Sequence, residues 1–113
     1  MYLGDVARLA GVWATLDRHG LAVSAVVELE LQYLHEIGRL RVQSSEILVS
    51  LAETVGLTRA DLPLAELVTA ARPLGWTRDP FDRLITAHAM AAGADLLTRD
   101  VTIRANYARA RWA

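Results

Sequence analysis

Cysteine and lysine are both absent from this chain of 113 residues. Without cysteine there are no disulfides and no thiolate metal sites, and the default expectation is a cytoplasmic protein. Without lysine, all 12 basic residues are arginine. That is either a trace of GC-rich codon usage or a supply of planar guanidinium groups suited to phosphate. No apolar run approaches the roughly 20 residues that cross a bilayer, and no secretory signal pattern opens the chain, so no membrane association is expected. An excess charge of one sign is missing too. The formal net charge is −1 and the pI about 6.3, which gives no gross attraction to nucleic acid. There is no internal repeat, no glycine-rich phosphate loop, no nucleophile elbow and no histidine pair at zinc spacing.

What is present is an apolar, well-punctuated chain. Hydrophobic residues make up 53% and charged residues 22%, a globular balance slightly richer in apolar groups than the usual range. The excess leaves some apolar surface for a partner. The length suits a single domain over residues 1–113.

Periodicity predicts a helix over residues 6–18, a strand over 21–24 and a strong helix over 25–37 closed by Gly38. A connection over 39–43 leads to a helix from Ser44 to about Val55, capped by Gly56. Residues 57–61 are a short strand or an extended linker. Pro63 starts a helix that ends before Pro73, and Asp79-Pro80 opens another that ends at Gly93. A strand over 95–98, a turn at Asp100, a short helix over 103–107 and a last strand within 108–112 complete the pattern. Strands separated by helices indicate an α/β fold, a three-layer α/β/α sandwich around a mostly parallel sheet. In such sheets sites lie beyond the carboxyl ends of the strands.

Three groups of acids fall near those ends. On the helix over 25–37, Val26, Val27, Leu31, Tyr33, Leu34 and Ile37 form one apolar arc, and Glu30 interrupts it. A carboxylate there needs an arginine partner or acts as a metal ligand or catalytic group, since burying it alone is costly. Leu29 interrupts the polar side and is exposed or meets a partner. Asp79 suits a helix N-cap, with Pro80 at the first helical position, while Asp82 borders the apolar side of that helix. Asp100 follows the strand that ends in Thr98 and Arg99, either as a turn residue or as a site residue. Thr98 is a supporting hydroxyl or a simple β-former. Three carboxylates on separate elements fit a hard cation, Mg²⁺ or Mn²⁺, which can activate water at a phosphodiester. His88 lies in the apolar arc of its helix and reads as a hydrogen-bonded core histidine, whereas His19 and His35 read as surface residues.

The blocks Ser24–Leu31, Gly38-Arg39-Leu40, Arg78–Ile85 with its Asp-Pro-Phe-Asp-Arg core, and Leu97–Asp100 resemble the PIN-domain family, in particular its VapC-type toxins of bacterial toxin–antitoxin pairs. The resemblance runs from about Leu21 to Trp112. It implies a ribonuclease dependent on Mg²⁺ or Mn²⁺, with Glu30, Asp82 and Asp100 as catalytic, metal-holding acids and Asp79, Thr98 and Arg99 in support. It also implies an RNA substrate, a homodimer and an inhibitory antitoxin protein. The resemblance departs from the family at its start. Family chains begin with a strand ending in an aspartate of the metal site, and neither is matched here. Asp5 is the weak stand-in, and the N-terminal strand is expected to be missing. A truncated family member that keeps only dimerisation or antitoxin binding is the alternative reading.

Overall fold

The computed structural model describes residues 12–17 and 20–112. In chain order these form β1 (Val12–Asp17), β2 (Gly20–Ser24), α1 (Ala25–Glu36), α2 (Ser44–Val55), β3 (Thr58–Ala60), α3 (Leu64–Ala71), α4 (Pro80–Ala92), β4 (Asp95–Thr98), α5 (Val101–Asn106) and β5 (Ala110–Arg111). From Gly20 onward the local signals act as their chemistry dictates. Ser24 caps α1, its Oγ accepting from Val26 N. Asp79 caps α4 and Pro80 occupies its first position. Gly56 and Gly93 end α2 and α4 in the left-handed region, at φ 71° and 62°, a conformation that costs other residues a Cβ clash. The last helix starts earlier than its apolar pattern predicts, because Asp100 accepts from Ile103 N and nucleates it at Val101.

The sheet has the order β3-β2-β1-β4-β5. β2 and β3 are parallel, as are β4 and β5, while β1 runs antiparallel to both β2 and β4. Those four strands therefore share one direction, which is the expected mostly parallel α/β sheet. The two parallel connections step outward in opposite directions from the centre.

The helix expected over residues 6–18 is corrected here for its described part, since Val12–Asp17 is a strand. The expectation of a missing strand changes with it. A gap between β2 and β4 would leave two rows of backbone donors and acceptors without partners. The segment Val-Trp-Ala-Thr-Leu-Asp is rich enough in β-branched and aromatic residues to fill it, so tertiary pairing overrides its helical periodicity. It does so in reverse. Val12 pairs with Thr98 at the carboxyl edge of the parallel strands, and Asp17 pairs with Gly20 at the opposite edge. Asp5 and His19 lie outside the described residues.

The main core joins sheet and helices. Val23 of β2, Val27, Leu31 and Leu34 of α1, Ile47 and Leu51 of α2, Ile85 and Ala89 of α4, Leu96 of β4 and Ile103 of α5 meet in one cluster. Fully burying a side chain such as Leu31 or Ile85 contributes about 1.5–3 kcal/mol. A smaller cluster of Leu67, Ala71, Leu74 and Ala87 ties α3 to α4. The buried face of α1 is displaced from the predicted arc. Tyr33 and Ile37 are half exposed, at 51% and 49%, while Glu30 is only 8% exposed. The helix is rolled so that its carboxylate, not its tyrosine, enters the interior.

Candidate functional site

The order of the sheet reverses between β2 and β4, the strands that flank β1. Ligands in open α/β sheets bind beyond the carboxyl ends at such a point. The helix after β2 carries Glu30, and the turn after β4 carries Asp100. Asp79 and Asp82 arrive from the N-terminus of α4. The three predicted acids and Asp79 share one electrostatic neighbourhood, with Asp82, Asp79 and Asp100 each raising the pKa of Glu30.

Glu30 is the most constrained of them. Its Oε1 is buried without a hydrogen-bond partner, and among the described residues it makes no ion pair. Two residues earlier, on the opposite side of α1, Glu28 does have a counter-charge: Arg59 Nη2 donates to both of its oxygens at 2.9 and 2.8 Å. Burial, and then the charges of Asp82, Asp79 and Asp100, push the Glu30 carboxyl up to about 8. Burial, followed by Asp79 and Asp100, pushes Asp82 up to about 7. The two form a coupled pair. The more buried Glu30 keeps its proton longer, so Asp82 responds mainly to the outer aspartates.

Asp79 and Asp100 have a second duty as helix caps. Asp79 Oδ1 accepts from Phe81 N at 2.8 Å and from Asp82 N at 3.3 Å. Asp100 Oδ1 accepts from Ile103 N at 2.8 Å. Each cap uses Oδ1, so Oδ2 can face the site without loosening the helix. Thr98 is fully buried and its Oγ1 accepts from Asp100 N at 3.0 Å, fixing the turn that presents the carboxylate. Among the described residues, Arg99 makes no ion pair with the acids. Its guanidinium lies 5.4 Å from the Trp112 ring centroid in a cation–π contact. Among the described residues, no three histidines or acids stand close enough to ligate one ion directly.

The donor set still matches a hard cation. All of its atoms are carboxylate oxygens, one is buried without a partner, and their mutual repulsion is what a divalent charge relieves. Glu30, Asp82 and Asp100, with Asp79 beside them, are the acids that could hold it, at most two of them directly and the rest through water.

Two features had no signal in the sequence. His88, buried as expected of a core histidine, lies with Nδ1 2.9 Å from Ser24 Oγ. Burial lowers its pKa, against a weaker opposing effect of Asp61, and keeps the ring neutral. Both residues line a cavity of about 530 Å³ beside α1. Trp112 as the partner of Arg99 was equally invisible, because it depends on the pairing of β5 with β4. His35, read as a surface residue, is half buried, its Nδ1 2.9 Å from Leu40 O.

No curated protein and no solved structure matches the chain with significance. The PIN domain family model matches residues 5–108, nearly the whole sequence. PIN domains are typically nucleases and generally use divalent metals, in keeping with an all-oxygen acidic site at the switch point of the sheet. This chain belongs to the PIN-domain family.

Proposed function

We propose that the chain is a divalent-metal-dependent endoribonuclease, the toxin of a VapC-type toxin–antitoxin pair. The observation that carries this reading is the buried Glu30 carboxylate, whose Oε1 has no hydrogen-bond partner among the described residues, beside the charges of Asp82, Asp79 and Asp100. A carboxylate without a counter-charge in the interior destabilises the fold. The arrangement makes chemical sense as a site for Mg²⁺ or Mn²⁺ and a phosphodiester.

Bound there, the ion would lower the pKa of a water nucleophile and offset charge on the phosphate. The protein's own groups do the rest. Glu30 and Asp82 provide charge from two helices whose packing fixes their separation. With the ion present, the repulsion that raises Glu30 and Asp82 would be relieved and both would stay ionised as ligands. Asp100 is oriented by Thr98 and by its own cap. Arg99, parked on Trp112, is a guanidinium within the same turn that can meet a phosphate. RNA is the proposed substrate, the cytoplasm the proposed compartment, and a second copy of the chain and an antitoxin the proposed protein partners.

The direct test incubates the pure chain with single-stranded RNA and Mn²⁺. Cleavage is expected, with a loss of about 10²-fold or more in Asp82→Asn and Asp100→Asn. RNA left intact by the wild type would reject the proposal. One observation favours a second reading, a catalytically impaired member that only binds its partners. β1 runs in reverse, and its only acid, Asp17, pairs at the edge away from the site. The family's first-strand aspartate therefore has no counterpart in β1. A stable complex with a small partner protein, without RNA turnover, would select that reading.

A further inference from the structure

The cavity beside α1 is not part of the acidic centre, yet it shares both of its helices. Ser24 stands at the start of α1 and Glu30 six residues along it. Asp82 stands in the first turn of α4 and His88 six residues along that helix. Because Ser24 touches His88 while Glu30 faces Asp82, the helices cross with the cavity at one end of their contact and the acids at the other. Six residues amount to roughly 9 Å of helix, a span that a nucleic-acid strand covers within a nucleotide or two.

The lining specifies the ligand's chemistry. Val26, Leu62 and Leu67 give apolar walls. Ser24 and His88, 3% and 4% exposed, give a buried polar edge. With Nδ1 engaged by Ser24, Nε2 is the ring nitrogen left to meet a ligand. Arg59 also lines the cavity, but its charge is already matched by Glu28 through two hydrogen bonds. A phosphate would find no uncompensated cation there. Asp61 lines the cavity as well and adds a carboxylate acceptor, which further disfavours a phosphate. The complement is an uncharged, flat group with apolar faces and an edge that offers hydrogen-bond donors.

We infer that this cavity receives a nucleobase of the RNA strand next to the scissile phosphate, with His88 and Ser24 meeting the base edge. The inference rests on the ribonuclease reading above and adds a base-selecting pocket to it. Leu64 is 68% exposed at the rim, so Leu64→Trp can obstruct the cavity without disturbing the core.

The test has a binding arm and a cleavage arm. In the first, the four nucleoside 5′-monophosphates are titrated into the metal-free full chain and followed by NMR or calorimetry. At least one is expected to saturate, and Leu64→Trp or His88→Gln to weaken it about tenfold, the scale of a lost pocket contact. The Mn²⁺-induced thermal shift of each variant shows whether the fold and the acidic site are intact. In the second arm, a random RNA pool is cut in Mn²⁺ and the new ends are sequenced. The wild type is expected to show a base preference beside the cut that Leu64→Trp flattens. Failure of every nucleotide to bind, or equal binding by Leu64→Trp, would overturn the inference. So would a Leu64→Trp chain that binds nucleotides normally but no longer holds a protein partner. Nucleotide binding without any cleavage would uphold the pocket and reject the ribonuclease reading, so the two failures remain distinct.

Discussion

Glu30 links stability to pH in a direction opposite to most carboxylates. Its ordinary value is 4.5, and in the fold it rises to about 8. Below 4.5 both folded and unfolded chains carry the proton. As pH rises, the unfolded chain loses it first, and stability falls through the window from 4.5 to about 8. Asp82, raised to about 7, acts in the same direction. The metal-free protein is expected to melt lower at pH 8 than at pH 5. Glu30→Gln should flatten that dependence and be more stable than wild type at pH 8 by about 2–4 kcal/mol. Thermal melts in chelator across this range check it, and parallel slopes for the two proteins would remove Glu30 as the cause. Asp79 separates charge from capping on the same scale. Asp79→Ala loses the bonds to Phe81 N and Asp82 N and should cost about 1 kcal/mol. Asp79→Asn keeps a side-chain acceptor there and should cost little.

At the scale of elements, what was legible in the sequence was what is encoded locally. The helix limits at Ser24, Gly56, Asp79 and Gly93 follow from backbone groups that need nearby partners, and those partners are adjacent in sequence. Glu30, Asp82 and Asp100 stand out in the sequence as candidates because each sits at or near such a limit. β1 was not legible. On one side it pairs with the adjacent β2, as Thr15 does with Ala22, a local signal that its helical periodicity masked. On the other it pairs with β4, distant in sequence, as Thr15 does with Leu96, and no local pattern reports a vacancy in a sheet. The Ser24–His88 bond spans 64 residues and escaped for the same reason. If β1 is the central strand, its backbone should be among the best protected in the molecule. Hydrogen exchange at Thr15 and Leu16 is expected to be as slow as in β2 and β4. Thr15→Pro should lower the melting temperature more than Thr58→Pro in the edge strand β3, since proline removes a ladder donor and is tolerated mainly at edges. Fast exchange across residues 12–17 would contradict the assigned topology.

At the scale of the whole molecule, charge and apolar surface are sorted to different places. Glu30, Asp79, Asp82 and Asp100 share one electrostatic neighbourhood, whereas Asp95 at the start of β4 is compensated by Arg109 at 2.8 Å and Arg111 at 3.1 Å. Those two bonds lower its pKa and fasten β5 to β4. No helix among the described residues is long and apolar enough to cross a membrane. Of the eight exposed large hydrophobics among the described residues, three line one helix. Leu29, Tyr33 and Ile37 are 62%, 51% and 49% exposed, and their four-residue spacing keeps them on one side of α1. Glu30 is adjacent to this stripe but turned inward, so burying the stripe against a second copy need not cover the acids. Self-association through α1 is therefore expected, in line with the proposed homodimer. Light scattering coupled to gel filtration should give a dimer mass for the wild type and a monomer mass for Leu29→Glu, with the Mn²⁺-induced thermal shift kept in both. A Leu29→Glu chain that remains dimeric would move the interface elsewhere. A wild type that is monomeric at high concentration would leave α1 as a surface for a different protein, the antitoxin being the first to test by co-expression.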